Sequence, residues 1–130
     1  MSKFRQHRDS VDTKNTRHFS STQENKVAKV MNGRTVANSG AGAYSKGDID
    51  VGDMSGWLVE CKTKVKDVDS FTVQKKWFDK NIEESIYMKK EHSVVVFSFG
   101  PSSKNYYILD EATFLEMKEA LEEKRLRDGL

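Results

Sequence analysis

Glu60 and Lys62 stand two apart within the apolar run Trp57-Leu58-Val59-Glu60-Cys61-Lys62-Thr63. On a strand, residues two apart share a face. A carboxylate and an amine therefore project side by side, while Trp57, Val59 and Cys61 take the opposite face and suit packing beneath a helix. Upstream, Asp48-Ile49-Asp50-Val51 alternates acidic and apolar residues, as a half-buried strand does. If the two runs pair as a hairpin, Asp48 comes close to Glu60. Two carboxylates so placed repel unless a cation sits between them or one takes up a proton. Hard divalent ions such as Mg²⁺ accept one or two carboxylates and keep waters that a substrate phosphate replaces. The ammonium of Lys62 would then orient or activate the attacking water, and the chemistry suited is metal-assisted phosphodiester hydrolysis. The alternative is a set of surface ion pairs on an exposed sheet face. Asp50 shares the face of Asp48 and competes for the ligand role, which the sequence leaves open.

The surrounding elements must hold these groups. Residues 1–19 are polar, basic and aperiodic and read as a flexible arm, ahead of a single domain over 20–130. Ser21 followed by Glu24 matches a capping box, and Val27, Val30 and Met31 repeat at helical spacing before Gly33, so a helix is predicted over about 22–32. Thr35-Val36-Ala37 is a short strand, Ser39 to Ala43 a small-residue loop, and Gly52-Asp53-Met54-Ser55-Gly56 a turn between the hairpin strands. A second helix capped by Asp69 or Ser70 would carry Phe71, Phe78, Ile82 and Ile86 on one stripe, with Trp77 beside it. That places Gln74 on the buried stripe, where a polar group must find a partner. Ser93–Phe99 and Tyr106–Leu109 read as strands separated by Gly100-Pro101-Ser102-Ser103, and about 111–127 as a terminal helix with an acidic-then-basic charge order. The order is helix, three strands, helix, two strands, helix: an α/β domain whose second helix is a crossover, which makes part of the sheet parallel or mixed.

Composition excludes several classes. Of the apolar residues only Met1, Phe4, Val11 and Phe19 fall in the first 22 positions, and no apolar run is longer than that of Val94–Phe97, far short of the roughly 20 residues of a membrane-spanning helix. No signal peptide is legible, and the chain reads as cytoplasmic and without a membrane partner. The single cysteine, Cys61, excludes an internal disulfide framework and a four-cysteine zinc site. Residues 1–35 carry eight basic against three acidic side chains, net +5, on a body that is near neutral. This fits either a polyanionic partner such as nucleic acid or a solvated tail.

The segment Gly47-Asp48-Ile49-Asp50 followed by Trp57-Leu58-Val59-Glu60-Cys61-Lys62-Thr63 resembles the PD-(D/E)xK nuclease superfamily, and within it the small Holliday-junction-resolvase-like endonucleases of archaea and phages. The resemblance covers roughly residues 20–99. It implies a restriction-endonuclease-like core of helix, three-strand meander, crossover helix and strand, in the order read above. It assigns Asp48 and Glu60 as metal-binding carboxylates, the main-chain carbonyl of Cys61 as a further ligand and Lys62 as the catalytic lysine. Gly47 stands where the family's proline is often found. Glu24 matches an acidic residue that related resolvases turn toward the metal from the first helix; the capping-box role with Ser21 is the competing reading. Gln74 matches a polar position near the active site of related nucleases.

Candidate DNA contacts are Ser39, Tyr44 and Lys46 in the small-residue loop, with Arg34, Lys64 and Lys75. For the loop, a plain connector is the alternative; for Lys75, simple solvation is. His7, His18 and His92 have no metal-ligand spacing. The expectation is a Mg²⁺-dependent DNA endonuclease, with Mn²⁺ substituting, of the junction-resolving type and acting as a homodimer on branched DNA. The alternatives are a restriction- or repair-type nuclease on duplex DNA and an inactive nucleic-acid-binding module of the same fold. Small size and high charge suit a protein of a phage or mobile element acting in the host cytoplasm.

Overall fold

A computed structural model describes residues 2–36, 48–52 and 56–129, with side chains from residue 17 onward. The elements are α1 (Ser2–Met31), β1 (Arg34–Thr35), β2 (Ile49–Val51), β3 (Trp57–Thr63), α2 (Lys75–Tyr87), β4 (His92–Ser98), β5 (Asn105–Ile108) and α3 (Glu111–Arg127). The strands form one mixed sheet in the order β1-β2-β3-β4-β5. β1, β2 and β3 make an antiparallel meander, β3 and β4 are parallel, and β4 and β5 are antiparallel. The expected α/β class, hairpin and crossover are all present.

α1 is longer than predicted. It runs back to Ser2 through the segment read as a flexible arm, because no Gly or Pro occurs before Gly33 to stop it. A helix that continues through Ser21 has no N-terminus there, so the Ser21–Glu24 capping box does not form. Its C-terminus closes with a Schellman motif. Asn32 takes the left-handed conformation at φ 55°, its amide bonds the Lys29 carbonyl at 3.3 Å, and Gly33 N–H bonds the Ala28 carbonyl at 2.8 Å. Gly33 is required for a different reason from helix termination. A Cβ there would lie 2.6 Å from Val51 Cγ2 and 2.9 Å from the Asp50 carbonyl oxygen, so β2 packs directly against its backbone.

One face of the sheet buries Ile49, Val59, Val94 and Val96 against Val27 and Ala28 of α1, with Met31, Val51, Trp57, Cys61 and Leu109 packed around them. Each fully buried valine or isoleucine contributes about 1.5–3 kcal/mol. The residues expected beneath a helix on β3 thus face α1.

The opposite face differs from the sequence reading. α2 starts at Lys75, not near residue 70, and Gln74 is its N-cap, exposed and without a side-chain capping bond. Its buried residues are Asn81, Glu84 and Ser85, while Ile82 and Ile86 of the expected stripe are exposed. Asn81 takes the core position because its Nδ2 bonds the Leu58 carbonyl at 3.3 Å and the Val94 carbonyl at 3.2 Å, one on each parallel strand. Phe71 lies in the connection before α2. It packs on Phe97 (centroids 5.1 Å apart) and Trp77 (5.7 Å), and Phe97 stacks on Tyr106 (5.6 Å). The aromatic cluster holds this segment on the sheet without a helix.

Candidate active site at the parting of beta two and beta three

The β2–β3 ladder ends at the Ile49–Val59 pair. Asp48 lies one residue beyond. Its amide bonds the Val59 carbonyl at 3.0 Å, and its carboxylate Oδ2 accepts the Cys61 N–H at 2.8 Å in place of a main-chain acceptor. The two strands separate where Glu60, Cys61 and Lys62 follow. A residue's N–H and C=O point to the same edge of a strand, so the Cys61 carbonyl is directed to the edge that carries Asp48. The predicted neighbourhood of Asp48, Glu60 and the Cys61 main chain is thereby assembled by the hairpin.

Glu60 is buried at 7% exposure, and its Oε1 lies 3.1 Å from Lys62 Nζ. Burial pushes its carboxyl above the ordinary value, and the charge of Asp48 adds to this while Lys62 opposes it. Lys62 Nζ also lies over the Trp77 ring, 5.1 Å from its centroid, so β3 supplies the amine and α2 the aromatic surface that fixes it. Glu24 enters from α1 on the other side. Burial first, then the charges of Asp48 and Glu60, raise it from 4.5 to about 7. With its capping role absent, Glu24 is the third member of a group of carboxylates that repel one another. The Cys61 thiol is raised by burial and by the charges of Asp48, Glu24 and Glu60, so it stays protonated and is no nucleophile.

The three carboxylates do not form a closed cage. Among the described residues, the one group of ligand atoms within 4.8 Å of one another is Glu91, His92 and Glu116, at a separate place, where His92 also stacks on Trp57 at 4.5 Å. The donor set at Asp48 is all oxygen and negatively charged, which fits a hard divalent cation that keeps waters better than a soft one.

Asp50 is settled elsewhere. Arg34 bonds its Oδ2 at 3.0 Å, and Lys90 pairs with its Oδ1. Burial would raise Asp50, but the hydrogen bonds and charges of Lys90 and Arg34 outweigh it and hold the carboxyl below 3.8. Arg34, expected at DNA, therefore has a structural partner, though its side chain is 82% exposed. Lys64 lies over the Phe71 ring at 5.1 Å, and Lys75 pairs with Asp79 at 2.9 Å; both are exposed. Gln74 is on the surface and not on the buried stripe that motivated it. Ser39, Tyr44 and Lys46 lie outside the described residues.

Sequence reasoning missed Gln23. It is buried at 5% exposure, and its Nε2 donates to the Lys62 carbonyl at 2.7 Å and to Asn105 Oδ1 at 3.3 Å, tying α1 to β3 and to β5. Its position four before Val27 on the apolar stripe was the available signal.

The raised Glu24 has a consequence for stability. Its unfolded carboxyl titrates near 4.5 and its folded one near 7, so the stabilisation from protonated Glu24 is complete below 4.5 and is lost as pH rises through 7. After allowance for partial exposure the loss is about 2 kcal/mol. Urea unfolding of metal-free protein should show this decline, Glu24→Gln should flatten it, and an unchanged slope in that variant would exclude Glu24 as its source.

Comparison with protein-family models, with curated proteins and with solved structures gives no match.

Proposed function

We propose that the protein is a divalent-metal-dependent DNA endonuclease of restriction-endonuclease-like fold that acts on branched DNA. The observation that carries the reading is the convergence of Asp48, Glu60 and Glu24 beside the Lys62 amine at the point where β2 and β3 part: Glu24 feels both other carboxylates, and Lys62 stands 3.1 Å from Glu60. Mutual repulsion of this kind is relieved by a cation. Asp48, Glu60 and the Cys61 carbonyl would hold Mg²⁺ or Mn²⁺, with Glu24 near enough to add charge. Such an ion, when bound, supplies charge neutralisation at a phosphodiester and a water of lowered pKa.

The chain's own residues supply the rest. Lys62, oriented by Glu60 and Trp77, offers an ammonium to position the attacking water or to meet the developing negative charge at phosphorus. Asp48 accepts the Cys61 N–H and so holds residue 61, whose carbonyl points to the same strand edge. Junction DNA is favoured by the resemblance of Gly47–Asp50 and Trp57–Thr63 to the junction-resolving nucleases. Shape and pairing of copies would then set specificity.

The test is a cleavage panel of four-way junction, flap and linear duplex with Mg²⁺, Mn²⁺ or EDTA. Metal-dependent, symmetric nicking of the junction in preference to the others is the expected result. Equal cutting of all three would favour a duplex-acting nuclease. Binding without cleavage in any metal would favour an inactive nucleic-acid-binding module. A steep fall of binding with salt is expected in every DNA-binding case.

A further inference from the structure

α3 is a well-capped helix that buries nothing. Asp110 Oδ1 accepts the Thr113 N–H at 2.8 Å, and no residue of the helix is buried. Phe114, Met117 and Leu121 repeat at three- and four-residue spacing and are 56%, 48% and 52% exposed. With Leu109 and Ala120 they line a groove that is almost wholly apolar. A stripe of this kind on an exposed helix marks an interaction surface.

The charges say what covers it. Asp110 and Glu111 begin the helix, and Lys124, Arg125 and Arg127 end it. A helix laid antiparallel on an identical one sets each acidic start beside the other's basic end. In the register that opposes Phe114 with Leu121 of the second copy, Glu111 lies level with Lys124 and Arg125 of that copy. The apolar stripe and the charge order are therefore complementary to themselves under a two-fold axis, as an isologous contact requires. A parallel arrangement would oppose like charges at both ends.

We propose that α3 is the self-association surface of the protein, pairing antiparallel with α3 of a second copy through Phe114, Met117 and Leu121. The helix is about 26 Å long, and one helix pair of that length is a small interface by the standards of stable complexes. The pairing is therefore concentration dependent. This inference does not rest on the nuclease reading, because association is measured without DNA or metal.

Sedimentation equilibrium of the full chain tests it. Wild type should pass from monomer to dimer with rising concentration, and Leu121→Glu should remain monomeric. Because all three stripe residues are exposed, circular dichroism and the urea midpoint of Leu121→Glu should match wild type. Glu111→Lys alone should weaken the dimer about tenfold or more. Combining it with Arg125→Glu should restore association, since the reversed charges again match. A wild type that stays monomeric up to about 1 mM overturns the proposal, as does a dimer that persists in folded Leu121→Glu. Failure of the double charge reversal to recover association overturns the antiparallel arrangement.

Discussion

Lys62→Met protein is expected to bind branched DNA with near wild-type affinity and to cleave it on the order of 10²–10⁴-fold more slowly, the range for loss of a positioned acid–base or charge-stabilising group. Methionine keeps the length of the stem and its packing on Trp77 while removing the amine. The side chain of Lys62 is 30% exposed, so its replacement leaves the core intact. Glu60→Gln should reduce cleavage by at least as much, because it removes a carboxylate from the proposed ion and releases Lys62 from its 3.1 Å partner. Single-turnover cleavage at saturating protein, with binding followed by fluorescence anisotropy, separates the two effects. A Lys62→Met enzyme that cuts at the wild-type rate in Mg²⁺ would show that the site lies elsewhere.

Lys90→Met is expected to be the most destabilising change in a charged residue, costing about 3 kcal/mol or more. The Schellman close of α2 puts it in place: Lys89 adopts φ 57°, and the Lys90 amide bonds the Ser85 carbonyl at 2.8 Å. From there its ammonium reaches Asp50 and donates to the Gly52 carbonyl at 2.9 Å. Both side chains of the ion pair are buried, at 5% and 7% exposure. Removing the lysine leaves Asp50 buried with only the exposed Arg34 to balance it. Arg34→Ala, by contrast, should cost less than about 1 kcal/mol. The pair also fixes an acid limit. Asp50 is held below 3.8 in the folded state, so its contribution is complete above that value and is lost as pH falls through the lowered pKa. Urea titrations of wild type and Lys90→Met at neutral pH measure the cost. A difference under about 1 kcal/mol would mean that water or Arg34 compensates fully.

The two periodicities of the sequence account for what was legible. Strict alternation in Asp48–Val51, and alternation over Val59–Lys62 at the end of an apolar run, placed two strands, their faces and the Asp48–Glu60 neighbourhood, because a strand's faces follow from residue parity. The E-x-K spacing put Lys62 beside Glu60 for the same reason. Ser93–Phe99 and the terminal helix were equally plain from β-branched density and from charge order. α2 was harder. Phe71 mimics the first position of a helical stripe, yet it belongs to an aromatic cluster with Phe97 and Trp77, and the true inner face is polar because Asn81 bonds main-chain carbonyls of two strands. No hydrophobic pattern announces such a position. Glu24 was readable two ways because a capping box depends only on local spacing, and whether a helix starts there depends on how far it extends upstream. Asp50 and Asp48 share a face by parity, and only the positions of Arg34 and Lys90 separate their roles.

The strand order of the sheet is also the order of the chain, and this bears on how the molecule comes into being. Each strand adds to the edge left by the one before it, so during synthesis no strand waits for a later one to be inserted between it and its neighbour. Glu24, Asp48, Glu60 and Lys62 have all emerged before β4 covers the open side of β3. α3 follows only after the sheet is complete. The growing polypeptide can thus bring Glu24, Asp48, Glu60 and Lys62 together before it exposes the helix proposed to join two copies, which keeps nascent chains on neighbouring ribosomes from pairing while still half folded.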